Sequence, residues 1–327
     1  MTPRFAVYIV AHDKPALFAD LVASLHHPQI DVYAHIDRAV DSRPFHEAVG
    51  AALPEAVHPV RFVADRDRIR VRWGGISLVS AGLRLLASSM ATGRVYHRHS
   101  LLSGTDLLLR PLPQLIDAWS GDVEFLRVDC ALDSVPHRAT VDRYHFPDHP
   151  GLRRLSGRIP RPPVERRLYR GSNWWSLTDE AIGIIARTLA DDPGWLRDLR
   201  FASCPDEIVF HSILMGSARA SAIGQNYAEC VHDNYRHPES DCVHSDVTIH
   251  GQHYIDWTDP AGVSPPDLDV EALRRALDGP ALFARKVPSG WTWRTGPLPG
   301  PSDSDPSDSD PLDNDPTDTA RPARVRT

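Results

Sequence analysis

Short apolar segments alternate with helix-patterned ones along the first 128 residues, and this alternation restricts the chain to a sheet covered by helices. "FAVYIVA" (residues 5–11) is rich in β-branched and aromatic residues and stops at "HDKP", as a buried strand does. "ALFADLVASL" then places apolar residues at helical spacing, and "DVYAHID" returns to strand character. The opening is therefore β-α-β, a unit whose strands run parallel through a right-handed crossover. The pattern continues through "VRFVA" (strand), "ISLVSAGLRLLASSM" (helix), "VYHRHSLLSG" (strand), "LPQLIDAW" (helix) and "VEFLRV" (strand). We expect an α/β fold with a mixed, mostly parallel sheet flanked by helices, its nucleotide-type half spanning residues 1–128.

Beyond that point the periodicity fails. Residues 129–170 accumulate Arg153, Arg154, Arg158, Arg161, Arg166, Arg167 and Arg170, which read either as a solvated irregular excursion or as an acceptor-facing loop. Order resumes with "GSNWWSLT", a strand closing on Thr178 as N-cap of the helix "DEAIGIIARTLA", and a further helix is expected from Pro205 to Met215. We assign residues 1–296 to a single domain, with 171–296 as its acceptor and catalytic half. The Asp/Pro/Ser repeats of 297–327 are too polar to offset the entropy of folding and are expected to be disordered.

Composition excludes several function classes. The net charge of -7 is concentrated in the tail, where seven aspartates lie between residues 301 and 319, so the body is near neutral and shows no basic footprint for nucleic acid. Four cysteines form no CxxC pair and are expected to be reduced. The N-terminal apolar run of seven residues is too short to span a membrane and has no signal-peptide cleavage pattern, so a soluble, cytoplasmic protein without an integral membrane segment is expected. Neither GxGxxG nor GxxxxGK[ST] occurs.

Ligands of open α/β sheets bind outside the carboxyl ends of the strands. Four such ends carry polar groups: His12 and Asp13; Asp37 and Arg38; Arg70, Arg72 and Trp73; and Ser103, Gly104, Thr105 and Asp106. Trp73 could stack on a nucleobase and Asp37 bond its ribose. A diphosphate needs neutralisation, yet "DRD" (65–67) is crowded by arginines, "DLD" (267–269) lies in a proline-rich loop, and the tail copies have no scaffold. The pattern fits side-chain cations, for which "ARK" (284–286) supplies candidates, rather than a bound metal. His97, His99, His232, His244, His250 and His253 show no HExxH-like spacing for zinc.

The segments "YIVAHDKP", "DVYAHID", "VRWGGISLVSAGLRLL", "LLSGTD", "SNWWSLT", "CPDEIVFHSIL", "YIDW" and "LFARK" occur in the order seen in the core-2/I-branching β-1,6-N-acetylglucosaminyltransferases and peptide O-xylosyltransferases. The chain resembles that family from about residue 5 to 288. The resemblance implies a GT-A-type, Rossmann-like glycosyltransferase, inverting and metal-independent, with a UDP-sugar donor, a glycan or small hydroxylated acceptor, and no cofactor. It implies that Glu207 of "PDE" is the catalytic base. Val10, His12, Asp37 and Trp73 match the nucleotide contacts, and Lys286 matches the diphosphate lysine. The family often has a second, arginine contact before its "YIDW"-like strand, where this chain has His253. Either His253 is protonated there or Arg285 or another residue substitutes.

On acceptor placement, the sequence nominates Asp106, Trp174 and Trp175. Adjacent tryptophans in a strand face opposite ways, so one belongs to the core and the other can serve as a sugar platform. Glu207 also has a plainer reading, as a first-turn acid that favours the helix dipole, with Asp206 on the cap side. A base at that position needs partial desolvation. Three alternatives stay open: a UDP-xylose donor instead of UDP-GlcNAc, a catalytically weak nucleotide-sugar or glycan-binding protein, and a metal-dependent hydrolase built from the histidine-rich C-terminal part.

Overall fold

The computed structural model describes residues 2–53, 60–133, 138–228, 248–257 and 264–288. The repeats of the tail therefore lie outside the described residues, as do Cys230, Cys242, His232 and His244. The chain runs β1 (Phe5–Ala11), α1 (Pro15–Ser24), β2 (Ile30–Ile36), α2 (Arg43–Ala52), β3 (Arg61–Phe62), α3 (Ile76–Met90), β4 (Arg98–Ser103), β5 (Leu107–Leu108), α4 (Leu112–Ser120) and β6 (Glu124–Ala131). It continues with a short α5 (Ala139–Asp142), β7 (Tyr169–Gly171), β8 (Ser176–Thr178), α6 (Asp179–Asp191), α7 (Gly194–Leu199) and α8 (Val209–Met215). The last elements are β9 (Ile223–Asn226), β10 (Ile249–His250), β11 (His253–Ile255), α9 (Val270–Asp278) and β12 (Phe283–Arg285).

An eight-stranded sheet forms in the order β3-β2-β1-β4-β8-β6-β7, with β9 paired to β6. β1 is parallel to both β2 (Phe5 opposite Ile30) and β4 (Phe5 opposite Arg98). β8 is antiparallel to β4 and β6, and β7 is antiparallel to β6, so these two strands alone oppose the common direction of the sheet. The fold is thus mixed α/β with a mostly parallel sheet, as the alternating pattern predicts. The antiparallel insertion of β8 is what the pattern does not announce. "GSNWWSLT" is also not one strand: β7 ends at Gly171 and β8 begins at Ser176.

Strand periodicity divides the core into two layers. Phe5, Val7 and Ile9 of β1 pack with Phe18 and Val22 of α1, Phe45 of α2, and Leu115 and Trp119 of α4. Ala6 and Tyr8 point the other way, toward Leu85 of α3, Ile182 and Ile185 of α6, and Phe210 and Leu214 of α8. Both faces of the central strands are buried, which explains why β1 reads as a continuous apolar run. Thr178 caps α6, its side chain accepting from Ala181 N at 3.3 Å.

A second sheet, β10-β11-β12-β5, branches from the end of β4. β12 pairs with β11 in parallel and with β5 antiparallel, while α9 covers one side through Leu273 and Ala276. The segment joining β4 to β5 is Gly104–Asp106, so this small sheet carries His253 and Arg285 to the carboxyl end of the main sheet. Gly104 is required there, because a Cβ on it would lie 2.6 Å from Ala11 Cβ at the end of β1.

Candidate active site

Two charged clusters occupy the carboxyl ends of the strands, and one short segment touches both. The first is centred on Asp106, whose side chain is fully buried. Its Oδ2 accepts from Ser103 N at 2.8 Å and from His253 Nε2 at 3.1 Å, and its Oδ1 accepts from Ser103 Oγ at 2.6 Å and Arg285 Nη1 at 3.2 Å. Burial pushes the Asp106 carboxyl upward, but hydrogen bonding to His253 and the charges of His253 and Arg285 more than offset it, holding the group below the usual carboxylate range. Arg285 also donates to Ser103 Oγ, and its guanidinium lies 4.1 Å over the Trp174 ring. Trp174 in turn packs against His253, with ring centroids 5.8 Å apart.

Asp106 is therefore the support of Arg285 and His253, and both of its carboxylate oxygens are engaged. His253 is likewise buried, stacked on Phe283 at 5.4 Å and committed through Nε2 to Asp106. This corrects the expectation that His253 meets a donor phosphate: burial and the Asp106 bond turn it inward. Arg285 is the residue left beside Lys286. Lys286 Nζ reaches Ser264 Oγ at 2.7 Å, and burial followed by the charge of Arg285 lowers its pKa. Lys14, which the motif reading passed over, bonds Asp267 at 3.0 Å from the left-handed turn before α1.

The second cluster is the "PDE" turn. Pro205–Glu207 forms one 3-10 turn, and Ile208 (φ -124°, ψ -49°) breaks it from α8, so the single helix expected over 205–215 is two pieces. Glu207 is partly buried, and Arg170 of β7 donates to its Oε2 through Nε (2.9 Å) and Nη2 (2.6 Å). Both bonds fall on one oxygen, leaving Oε1 outside the fork. Asp206 is no cap: neither Pro205–Glu207 nor α8 has a side-chain cap bond. Its side chain is buried with Oδ1 unpartnered among the described residues, and burial followed by the charge of Glu207 pushes its pKa up to about 8. Asp129, on β6, is also raised by burial, although Arg127 Nε lies at 2.5 Å. Cys204, at the left-handed start of the turn, is buried, as is Cys130.

Residues 169–175 connect the clusters, since Arg170 holds Glu207 and Trp174 carries Arg285. The two tryptophans face different surroundings, although they lie in the link between β7 and β8 and not in a strand. Trp175 is 2% exposed and packs edge-on to Phe210 and Tyr8, so it belongs to the core and is removed from the acceptor candidates. Trp174 is the partly exposed one. Among the residues expected to meet a nucleotide, Val10 O accepts from Gly104 N at 3.1 Å, tying β1 to the Asp106 loop. His12 is exposed, with its Nε2 3.9 Å from Asp13. Asp37 is buried, accepting from Ala39 N (2.7 Å) and Val71 N (3.2 Å). Trp73 is 64% exposed, and the next residue, Gly74, accepts from Cys204 N at 2.9 Å. Segment 71–75 thus leads from Asp37 to the Glu207 turn.

Both DxD motifs have structural partners. Asp65 pairs with Arg68 at 3.0 Å, and Asp269 caps α9 while Asp267 holds Lys14. No group of three or more His, Cys, Asp or Glu side chains is placed to hold a metal ion among the described residues. Among the same residues, no helix is long and apolar enough to cross a membrane.

Comparison with known proteins gives a family. A family model described as "Branch: Core-2/I-Branching enzyme" matches residues 5–276. No curated protein matches the sequence. Among solved structures, the crystal structure of mouse xyloside xylosyltransferase 1 in its apo form is similar at 13% identity, covering 66% of this chain and 82% of that one with a TM-score of 0.31.

Proposed function

The chain belongs to the core-2/I-branching enzyme family and is a glycosyltransferase, and on that premise we propose that it is inverting and metal-independent, moving N-acetylglucosamine from a UDP-sugar to an acceptor hydroxyl. The observation that carries this reading is the segment 170–174, which binds the "PDE" carboxylate at one end and an "ARK" cation at the other. A base and the cations for a leaving group are thereby fixed relative to each other by one stretch of backbone.

Inversion requires one in-line displacement. The acceptor oxygen attacks the anomeric carbon, the bond from that carbon to the diphosphate oxygen breaks, and the acceptor proton passes to Glu207. Positioned proton transfer of this kind contributes about 10²- to 10⁴-fold. Arg170 engages Oε2 only, so Oε1 is the atom we assign to the acceptor proton. Lys286 and Arg285 stabilise the charge developing on the diphosphate, as preorganised cations do. Arg285 takes the place of the arginine that His253 does not supply, and it is held by a carboxylate and an aromatic face together. Asp37 and Trp73 are assigned to the nucleoside, and Trp174 to the acceptor side.

Release of UDP from a panel of UDP-sugars, with and without EDTA, tests this reading in wild type and Glu207→Gln. Turnover with UDP-N-acetylglucosamine that EDTA leaves intact and that falls at least about 10²-fold in the variant is the expected result. Preference for UDP-xylose overturns the donor assignment, and loss of activity with EDTA overturns metal independence. Binding without turnover overturns the enzyme mechanism.

A further inference from the structure

Six of the seven arginines in the 153–170 run separate into two populations. Arg161 donates to Asp198 O at 2.5 Å, Arg166 pairs with Asp192 and Asp198, Arg167 lies 3.7 Å from Asp133, and Arg170 holds Glu207. These four are structural or belong to the site. Arg154 and Arg158, by contrast, are exposed and make no side-chain bond or ion pair among the described residues. Three of the large apolar side chains that reach solvent stand beside them: Leu152 (44% exposed), Leu155 (42%) and Ile159 (37%).

Neither the exposure nor the charge comes from a loose loop. Tyr144 N donates to Ile159 O, Gly157 N to Tyr144 O and Arg161 N to Asp142 O, and Phe146 N bonds Ser156 Oγ. Leu152 and Leu155 lie three apart in the 3-10 turn Pro150–Leu155, where residues at that spacing eclipse and share a side. Between Asp148, which is engaged by Ser77, and Glu165 the sequence contains no acid. A rigid projection thus presents apolar groups and uncommitted cations on one stretch.

From this juxtaposition we propose that the 150–159 projection is a docking surface for a lipid bilayer carrying anionic headgroups. The arginines match the headgroup charge, and the leucines and isoleucine match the acyl boundary beneath it. A soluble polyanion answers the charge alone. The acidic segment 301–319 of the same chain also answers the charge, but offers one leucine, Leu312, as its apolar content. The projection is anchored next to the "PDE" turn: His145 N donates to Phe201 O and Ser203 N to Thr140 O, both at 2.8 Å. On the glycosyl-transfer reading, docking there would bring a membrane-borne hydroxyl toward Glu207. That consequence rests on the reading, whereas docking itself does not.

Flotation of the full chain with vesicles tests the proposal without any turnover. Vesicles of phosphatidylcholine with about 30 mol% phosphatidylglycerol should bind at least about tenfold more tightly than phosphatidylcholine alone. The double variant R154S/R158S should lose about tenfold or more, given roughly fivefold per arginine near an anionic surface. The double variant L152S/L155S should also lose about tenfold, and thermal melting of each variant shows whether it is folded. Equal binding to both vesicle types overturns the proposal. So does anionic binding that the leucine substitutions leave unchanged, because charge alone then suffices, as it would for dextran sulfate.

Discussion

The two charged clusters at the strand ends are built with the signs exchanged. At the end proposed for the diphosphate a buried carboxylate, Asp106, supports the partly exposed Arg285. At the end proposed for the base a cation, Arg170, supports the partly exposed carboxylate Glu207. The difference lies in depth. Asp106 is sealed in the interior with His253 and Ser103, so its charge cannot be satisfied by water, whereas Arg170 and Glu207 both retain solvent contact. A support in the first setting acts through stability as well as binding; a support in the second acts chiefly on orientation.

Substitution separates the two. Asp106→Asn removes the only acid bonded to both His253 and Arg285 among the described residues, and breaking an ion pair whose carboxylate is buried costs about 3 kcal/mol or more. A fall of the urea midpoint by the corresponding amount, with weakened UDP binding by calorimetry, is expected. An unchanged midpoint would break the contrast. Arg170→Lys keeps the charge but loses the two-pronged grip on Oε2. We expect stability within about 1 kcal/mol of wild type, since a partly solvated pair contributes little, and a drop of about tenfold in kcat with the donor KM unchanged. A variant that unfolds readily would place Arg170 in the same class as Asp106.

A third contrast concerns Asp206, the buried neighbour of Glu207. Its folded pKa of about 8 lies above the roughly 3.9 of an unfolded aspartate. The folded state therefore binds more protons between those values, and stability falls as pH rises through that window. Asp206→Asn removes this titration. The midpoint of wild type minus that of the variant should decline steadily from pH 5 to pH 8, and a difference independent of pH would show that Asp206 is ionised in the fold.

The residues proposed to act were nominated from motifs shared with the family, and the contacts that hold them were not. Glu207, Arg285 and Lys286 sit in short segments matched to that family, while a bare reading of Glu207 also allows a first-turn acid. Asp106 and His253 meet across 147 residues, and Glu207 and Arg170 across 37, separations that no local pattern encodes. Arg170 was hidden within a charge run whose other members serve unrelated pairings. The parallel half was legible because β1, buried on both faces, reads as an apolar run and β2 returns to strand character after a helix-patterned segment. β7 and β8 have three residues each, too few to show a period. The adjacent tryptophans do differ in burial, but from the link between β7 and β8 and not from a strand, and the choice of Trp175 for the core depends on Phe210 and Tyr8, which the fold brings there.

The central claim is that one carboxylate, Glu207, deprotonates the acceptor opposite a leaving group held by side-chain cations, in a single displacement. Proton NMR of the product's anomeric position tests it most directly. From an α-linked UDP-sugar the mechanism predicts a β-linked product with the large anomeric coupling, formed at full rate in EDTA. An α-linked product would contradict it, because retention requires a second displacement or a front-face path that a lone base at Glu207 does not provide.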